Sequence, residues 1–157
     1  MPQTLHIPTI LELTNRSVDW LFDNIKKMPE DKLAYSPTPE TRSTRDFLHE
    51  ISEAYNMFAE VLETNNSTKL SWEYWQPKLK ERAPAEQSLT DLESRVRAAH
   101  ERFATAITSL PEDRLDQKIP GSDWQPSPRD LAYFPLRNNW YHGGQINYIQ
   151  CCYGDFD

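Results

Sequence analysis

The sequence predicts an all-α fold: a four-helix bundle with long crossover connections, forming a single domain over residues 1–157. Apolar residues recur at helical spacing in four segments, and the prolines fall mostly between those segments. Alternating β-branched runs and two-residue hairpin turns, which would indicate strands, are absent from the sequence. Only 38% of the residues are hydrophobic, but five Trp, seven Tyr and six Phe can build a core from few positions.

The first two helices are predicted from apolar stripes with clear ends. The first covers residues 8–27 and stops at Pro29. The second begins at a cap formed by Ser43 or Thr44 and stops at Asn65. Both stripes follow the three- and four-residue spacing of one helix face: Ile10, Leu13, Val18, Leu21 and Ile25 in the first helix, and Leu48, Ile51, Tyr55, Phe58 and Leu62 in the second.

The third helix is predicted from a nearly regular apolar heptad that begins at Ser88 or Thr90 and ends before Pro111. The connections before the second helix and after the third are each about 15 residues long, which is enough to cross the end of a bundle. The connection between helices two and three is longer, and we expect its aromatic residues to pack as a flap over the bundle. These residues are Trp72, Tyr74 and Trp75.

The fourth helix is predicted to start near Pro128, a residue suited to a first helical turn. Pro135 removes one backbone donor, so either the helix bends there or its main part begins just before that residue. The expected inward face is unusually polar for a core. It contains Leu131, Phe134, Asn138, Tyr141 or His142, Gln145, Ile149 and Cys152.

Composition excludes several classes of function. The net charge of −7 and the absence of a Lys or Arg run argue against nucleic-acid binding. No apolar stretch approaches the roughly 20 residues of a membrane span, and no basic leader precedes one, so we expect a cytoplasmic protein without membrane contact. Cys151 and Cys152 are neighbours and form no disulfide framework, and we expect them to be buried as small apolar residues.

Polar residues on the inward face of the fourth helix indicate a functional pocket. Asn138, His142 and Gln145 need partners that apolar neighbours cannot supply, and a pocket, water or a metal would meet that need. Asn138 and His142 are four residues apart and share one helix face. Gly143 and Gly144 each cost a helix about 1 kcal/mol, which suggests close approach by another element or by a ligand.

The second helix carries a polar strip beside its apolar one, with His49 at its border and Glu53 one turn further on. If helices two and four are neighbours, His49 and His142 meet across the bundle. The simpler alternatives stay open: both could be structural histidines, Asn138 could be a core amide that fixes the helix register, and Glu53 could be a solvated residue.

Two long segments, STRDFLHEI and NNWYHGGQINYIQCCYG, resemble the DinB (DinB/YfiT-like) family, and the flanking segments MPEDKLAYSP and LPEDRLDQKIP extend the likeness. The resemblance implies a divalent ion bound by one His from helix two and a His-x-x-x-His pair from helix four. These positions correspond to His49, Asn138 and His142, with Glu53 as a possible substitute ligand. Asn138 departs from the pattern, because an amide oxygen is a weaker donor than imidazole for Zn²⁺ or Ni²⁺.

The leading hypothesis from the resemblance is a metal-dependent enzyme that holds Zn, Ni or Mn between helices two and four. Its reaction would be thiol-dependent transfer or hydrolysis, and its partners a small-molecule substrate or a low-molecular-weight thiol. The alternative is a non-catalytic, metal-free binding or stress-associated bundle that kept the pocket, a reading that Asn138 favours. A homodimer formed through an apolar surface is a third possibility.

Overall fold

The computed structural model describes residues 6–84 and 87–155, so the ends of the predicted domain and residues 85–86 lie outside the described part. The described residues contain five α-helices and no strand. Four long helices confirm the four predicted ones, and a short helix lies within the predicted flap. The helices are α1 (Ile7–Ile25), α2 (Thr44–Thr64), α3 (Trp72–Lys78), α4 (Leu89–Thr108) and α5 (Pro128–Cys152).

Three of the long helices begin with the same capping motif, a capping box. Ser43, Ser88 and Ser127 each cap a helix, and each serine hydroxyl oxygen accepts a hydrogen bond from the backbone N–H three residues later. An aspartate at that third position accepts the N–H of the cap in return, which satisfies two otherwise free donors. These caps set the starts of α2, α4 and α5. The aspartates are Asp46, Asp91 and Asp130.

Helix packing brings α2 and α5 together, as the sequence predicts. The most extensive contacts join α2 to α4 and α1 to α5, and α2 also packs against α5. Large side chains such as Tyr55, Phe22 and Phe103 are fully buried at these interfaces. Burying a side chain of that kind contributes roughly 1.5–3 kcal/mol, so aromatic packing supplies much of the core. Helix α5 continues through Pro135, which overturns the alternative of a main helix starting there.

A chain of hydrogen bonds crosses the core from α2 through α5 to α1. The Tyr55 hydroxyl donates to Asn139 Oδ1 over 2.7 Å, and Asn139 Nδ2 donates to Ser17 Oγ over 2.7 Å. Ser17 in turn donates to the Thr14 carbonyl oxygen. Burial raises the pKa of Tyr55, so its hydroxyl keeps the proton that this chain needs. The buried core amide is therefore Asn139, whereas Asn138 is only half-buried.

The two glycines of α5 have different surroundings. A Cβ at Gly143 would lie 2.4 Å from Cζ3 of Trp20, so the expected close approach is confirmed there, and an indole of α1 makes it. A Cβ at Gly144 would meet nothing within 4 Å, so no other element in the described part of the chain approaches that residue closely.

The end of α5 corrects the expectation for the two cysteines. Cys151 and Cys152 are both free and exposed, so the prediction that they are buried is wrong. The reason is helical phase, since Ile149 and Gln150 occupy the buried positions of this turn and the next two residues point away. In the described part of the chain, no helix is long and apolar enough to cross a bilayer.

Candidate functional site

A cavity of about 470 Å³ lies between α2 and α5, beneath the connection that contains α3. Its size falls within the usual range for small-molecule sites, and most of its wall is aromatic or aliphatic. The predicted flap residues Trp72 and Trp75 belong to this wall. The cavity is lined by Glu50, Ala54, Met57, Phe58, Leu70, Trp72, Trp75, Leu79, Trp124, Phe134, Arg137, Asn138, Tyr141 and His142.

The polar part of the wall is built around His142. Its Nε2 lies 3.4 Å from Glu50 Oε1, and its Nδ1 lies 2.8 Å from Gln145 Oε1, so both ring nitrogens face oxygen atoms. His142 is 3% exposed and Glu50 9% exposed, so water scarcely reaches either group. The ring of Phe47 packs beside the imidazole, with the ring centres 5.1 Å apart. The imidazole is therefore held in one orientation by α2 and by its own helix.

Glu50 has a second partner that comes from outside α2. The Arg42 guanidinium, just before the helix cap, forms an ion pair with Glu50 and donates to the Asp46 carbonyl oxygen over 3.0 Å. Burial by itself would raise the pKa of Glu50, but hydrogen bonds and charge interactions with His142 and Arg42 outweigh it and lower that pKa. Glu50 is therefore an ionised carboxylate at neutral pH, fixed between two side chains.

The residues predicted as ligands on α2 lie on a different stripe of that helix. Glu53 pairs with Arg95 of α4 at 3.2 Å, and Asn56 accepts a hydrogen bond from Arg102 of α4. His49 is one turn before Glu53 on the same stripe. It is not among the described residues that line the cavity, and its Nδ1 is buried without a hydrogen-bond partner in the described part.

Of the predicted ligands, Asn138 and His142 do line one cavity, four residues apart on α5. The residue that α2 presents to them is Glu50, which was not among the residues predicted from the sequence. A usable signal was present, because Glu50, Ala54 and Met57 follow helical spacing and together form the cavity face of α2. The assignment of His49 and Glu53 as metal ligands stays a prediction.

Comparison with known proteins identifies the family. A sequence profile described as "DinB family" matches residues 1–149. The chain belongs to the DinB family. No curated protein matches significantly.

Two solved structures resemble this DinB protein over nearly its whole length. A DinB-like protein from Bacillus subtilis has a TM-score of 0.67 and 17% identity, covering 95% of this chain and 94% of its own. A conserved protein from Enterococcus faecalis has a TM-score of 0.69 and 12% identity, covering 92% and 95%. The TM-scores show that the fold is shared, and at identities this low the likeness shows the fold alone.

The donor atoms at the cavity of this DinB protein differ from the three imidazoles that the resemblance implies. Among residues 6–84 and 87–155, no three His, Cys, Asp or Glu side chains are grouped so that they could hold an ion. The donor groups at the cavity wall are the imidazole of His142, the carboxylate of Glu50 and the amide of Asn138. Arg42 already forms an ion pair with Oε2 of that carboxylate, and its positive charge opposes a divalent cation beside it.

Proposed function

We propose that this DinB protein binds a small organic molecule in the aromatic cavity without a metal ion. The observation that carries the proposal is the pairing of Glu50 with both His142 and Arg42 at the cavity wall. Arg42 already supplies a positive charge beside the Glu50 carboxylate, so that carboxylate is balanced without a bound cation. In this proposal the polar groups orient the ligand, and its apolar part packs against the tryptophans of the cavity wall.

The wall is suited to a flat, apolar molecule. Trp72, Trp75 and Trp124 line the cavity together with other rings, and Trp124 packs against Phe134 with the ring centres 4.9 Å apart. Aromatic faces bury large apolar areas with little conformational freedom lost, so they suit stacking against a ring. The half-buried Asn138 can donate and accept hydrogen bonds at the polar end.

A neutral fluorescent probe, N-phenyl-1-naphthylamine, tests the proposal. Titrated into untagged protein in the presence of EDTA, it should bind saturably at one site per chain and receive excitation energy from the cavity tryptophans. The variant Trp75→Ala should weaken binding. The matched variant Trp140→Ala, which removes an exposed indole of α5 outside the cavity, should leave binding unchanged.

Two outcomes would overturn the proposal. One is probe binding that appears only after the protein has been loaded with Zn²⁺, Ni²⁺ or Mn²⁺. The other is binding that is lost in Trp140→Ala and kept in Trp75→Ala, which would place the probe in the groove between α1 and α5 that contains Trp140.

A metal-dependent enzyme is the second candidate, as the resemblance implies. The observation that favours it is that Glu50, Asn138 and His142 adjoin the same cavity, so a carboxylate, an amide oxygen and an imidazole could share one ion if Arg42 moved away. Elemental analysis of untagged protein loaded with Zn²⁺, Ni²⁺ or Mn²⁺ separates the candidates. About one ion per chain, lost in His142→Ala, would support this function over the metal-free one.

A further inference from the structure

The cavity wall carries one positive charge that the described protein does not neutralise. Among the described lining residues, Glu50 is the one carboxylate and Arg137 is the one Lys or Arg. Glu50 is compensated by Arg42. The Arg137 guanidinium lies 5.6 Å from the centre of the Phe134 ring, and no ion pair joins it to a carboxylate of residues 6–84 or 87–155.

The position of this cation sets the geometry of a ligand. Arg137 is exposed and directly precedes Asn138 on α5, so its charge lies where the cavity opens to solvent. The tryptophans Trp75 and Trp124 belong to the same cavity wall. A molecule with a flat ring among the tryptophans and an anionic group at Arg137 would use both parts, because a guanidinium binds carboxylates through paired N–H donors.

We infer that the ligand of this site is an organic anion, an aromatic ring system carrying a carboxylate, with Arg137 as the group that selects the charge. The inference rests on the proposed function, because it names the ligand class of the same cavity. A cationic ligand, which aromatic walls can also bind, would face the uncompensated Arg137 charge at the opening. The protein as a whole is acidic, with a net charge of −7, so general attraction of anions does not account for such a preference.

A series of probes that differ only in charge tests the inference. Naphthalene-1-acetic acid, naphthalene-1-acetamide and 2-(1-naphthyl)ethylamine share one ring system and are anionic, neutral and cationic at neutral pH. Measured by isothermal titration calorimetry, the acid should bind about tenfold more tightly than the amide, the size expected for one charged hydrogen-bonding contact that is partly exposed. The amine should bind most weakly, and added salt should reduce the advantage of the acid.

Variants locate the source of the preference. Arg137→Gln should bring the affinity for the acid down to that for the amide and leave the amide unchanged, and Arg137→Lys should restore part of the preference. Arg16→Gln is the matched control, because it removes an equal charge from an exposed arginine of α1 outside the cavity. Trp75→Ala should weaken the binding of the acid and the binding of the amide by a similar factor.

The possible failures are distinguishable. If the acid and the amide bind equally and Trp75→Ala weakens both, the cavity binds ligands but the charge selection is refuted. Tightest binding of the amine would also refute it, in favour of a cation site. If none of the three probes binds and N-phenyl-1-naphthylamine does not bind either, both the inference and the proposed function fail.

Discussion

Replacing Tyr55 with phenylalanine tests how much the hydrogen-bond chain through the core stabilises the fold. The substitution removes only the hydroxyl that donates to Asn139 Oδ1. Asn139 is fully buried and keeps its bond to Ser17, but its carbonyl oxygen loses its partner. Because His142 follows Asn139 by three residues, the same constraint holds the imidazole toward the cavity.

The expected cost follows from burial. Leaving a buried acceptor without a donor costs about 1–3 kcal/mol, and we expect about 2 kcal/mol here because Tyr55 and Asn139 are both 0% exposed. For a domain of this length, that corresponds to a fall in Tm of roughly 4–8 °C. The matched control is Tyr148→Phe in α5, where the ring is 69% exposed and its hydroxyl is free to bond to water.

Urea denaturation followed by circular dichroism measures the free energy of unfolding of both variants, and a double-mutant cycle with Asn139→Leu isolates the pair. The interaction energy between the two sites should be about 1–2 kcal/mol, because removing both polar groups avoids the unpaired acceptor. If Tyr55→Phe and Tyr148→Phe agree within about 0.5 kcal/mol, the buried chain does not stabilise the fold and the reasoning is refuted.

Three further predictions concern α5 and its partner Glu50. Gly143→Ala should lower Tm because the new methyl group meets the Trp20 indole, whereas Gly144→Ala should raise the stability by up to about 1 kcal/mol. Thermal unfolding checks both, and equal effects would contradict the packing. Asn138→His places a second imidazole four residues before His142, and calorimetry should show Zn²⁺ affinity increased by about 1.4 kcal/mol or more, a factor of ten. An unchanged affinity would indicate that no ion can reach that wall. The lowered pKa of Glu50 contributes stability that is complete above its ordinary value of 4.5 and is lost as pH falls through the folded pKa. Glu50→Gln should therefore flatten the decline of Tm below about pH 4.5, and a decline as steep as that of the wild type would refute this.

The fold was predictable because its signals are local and repeated. The cap at Ser43 and the apolar stripe that follows it set the start and the buried face of α2, and the same holds for α4 after Ser88. The short helix α3 was not predicted. Pro77 lies inside that helix, and none of its residues is buried, so the sequence offers neither an uninterrupted helical segment nor an apolar stripe to mark it.

The polar face of α5 was harder to predict because its apolar stripe is weak. Several of its buried positions hold polar or small residues, among them Asn139, His142 and Gly143, so hydrophobic periodicity does not fix which of two adjacent amides points inward. Neighbouring helix positions differ by about 100° in direction. The structure buries Asn139 in the core and places Asn138 at the cavity, an outcome that depends on the partners Tyr55 and Ser17 in other helices.

The same difficulty, deciding which of two adjacent helix residues points inward, explains why His49 was predicted as a site residue and its neighbour Glu50 was not. A glutamate is rarely buried unless it is paired, so sequence rules place it in solvent by default. Its partner Arg42 lies outside the helix, eight residues earlier, where helical spacing gives no sign of a contact. Once the pair forms, the wall opposite His142 is an ionised carboxylate already matched by a cation, and a second cation bound there would have to displace Arg42. The ion pair that made Glu50 hard to predict is therefore also the feature that favours ligand binding without a metal.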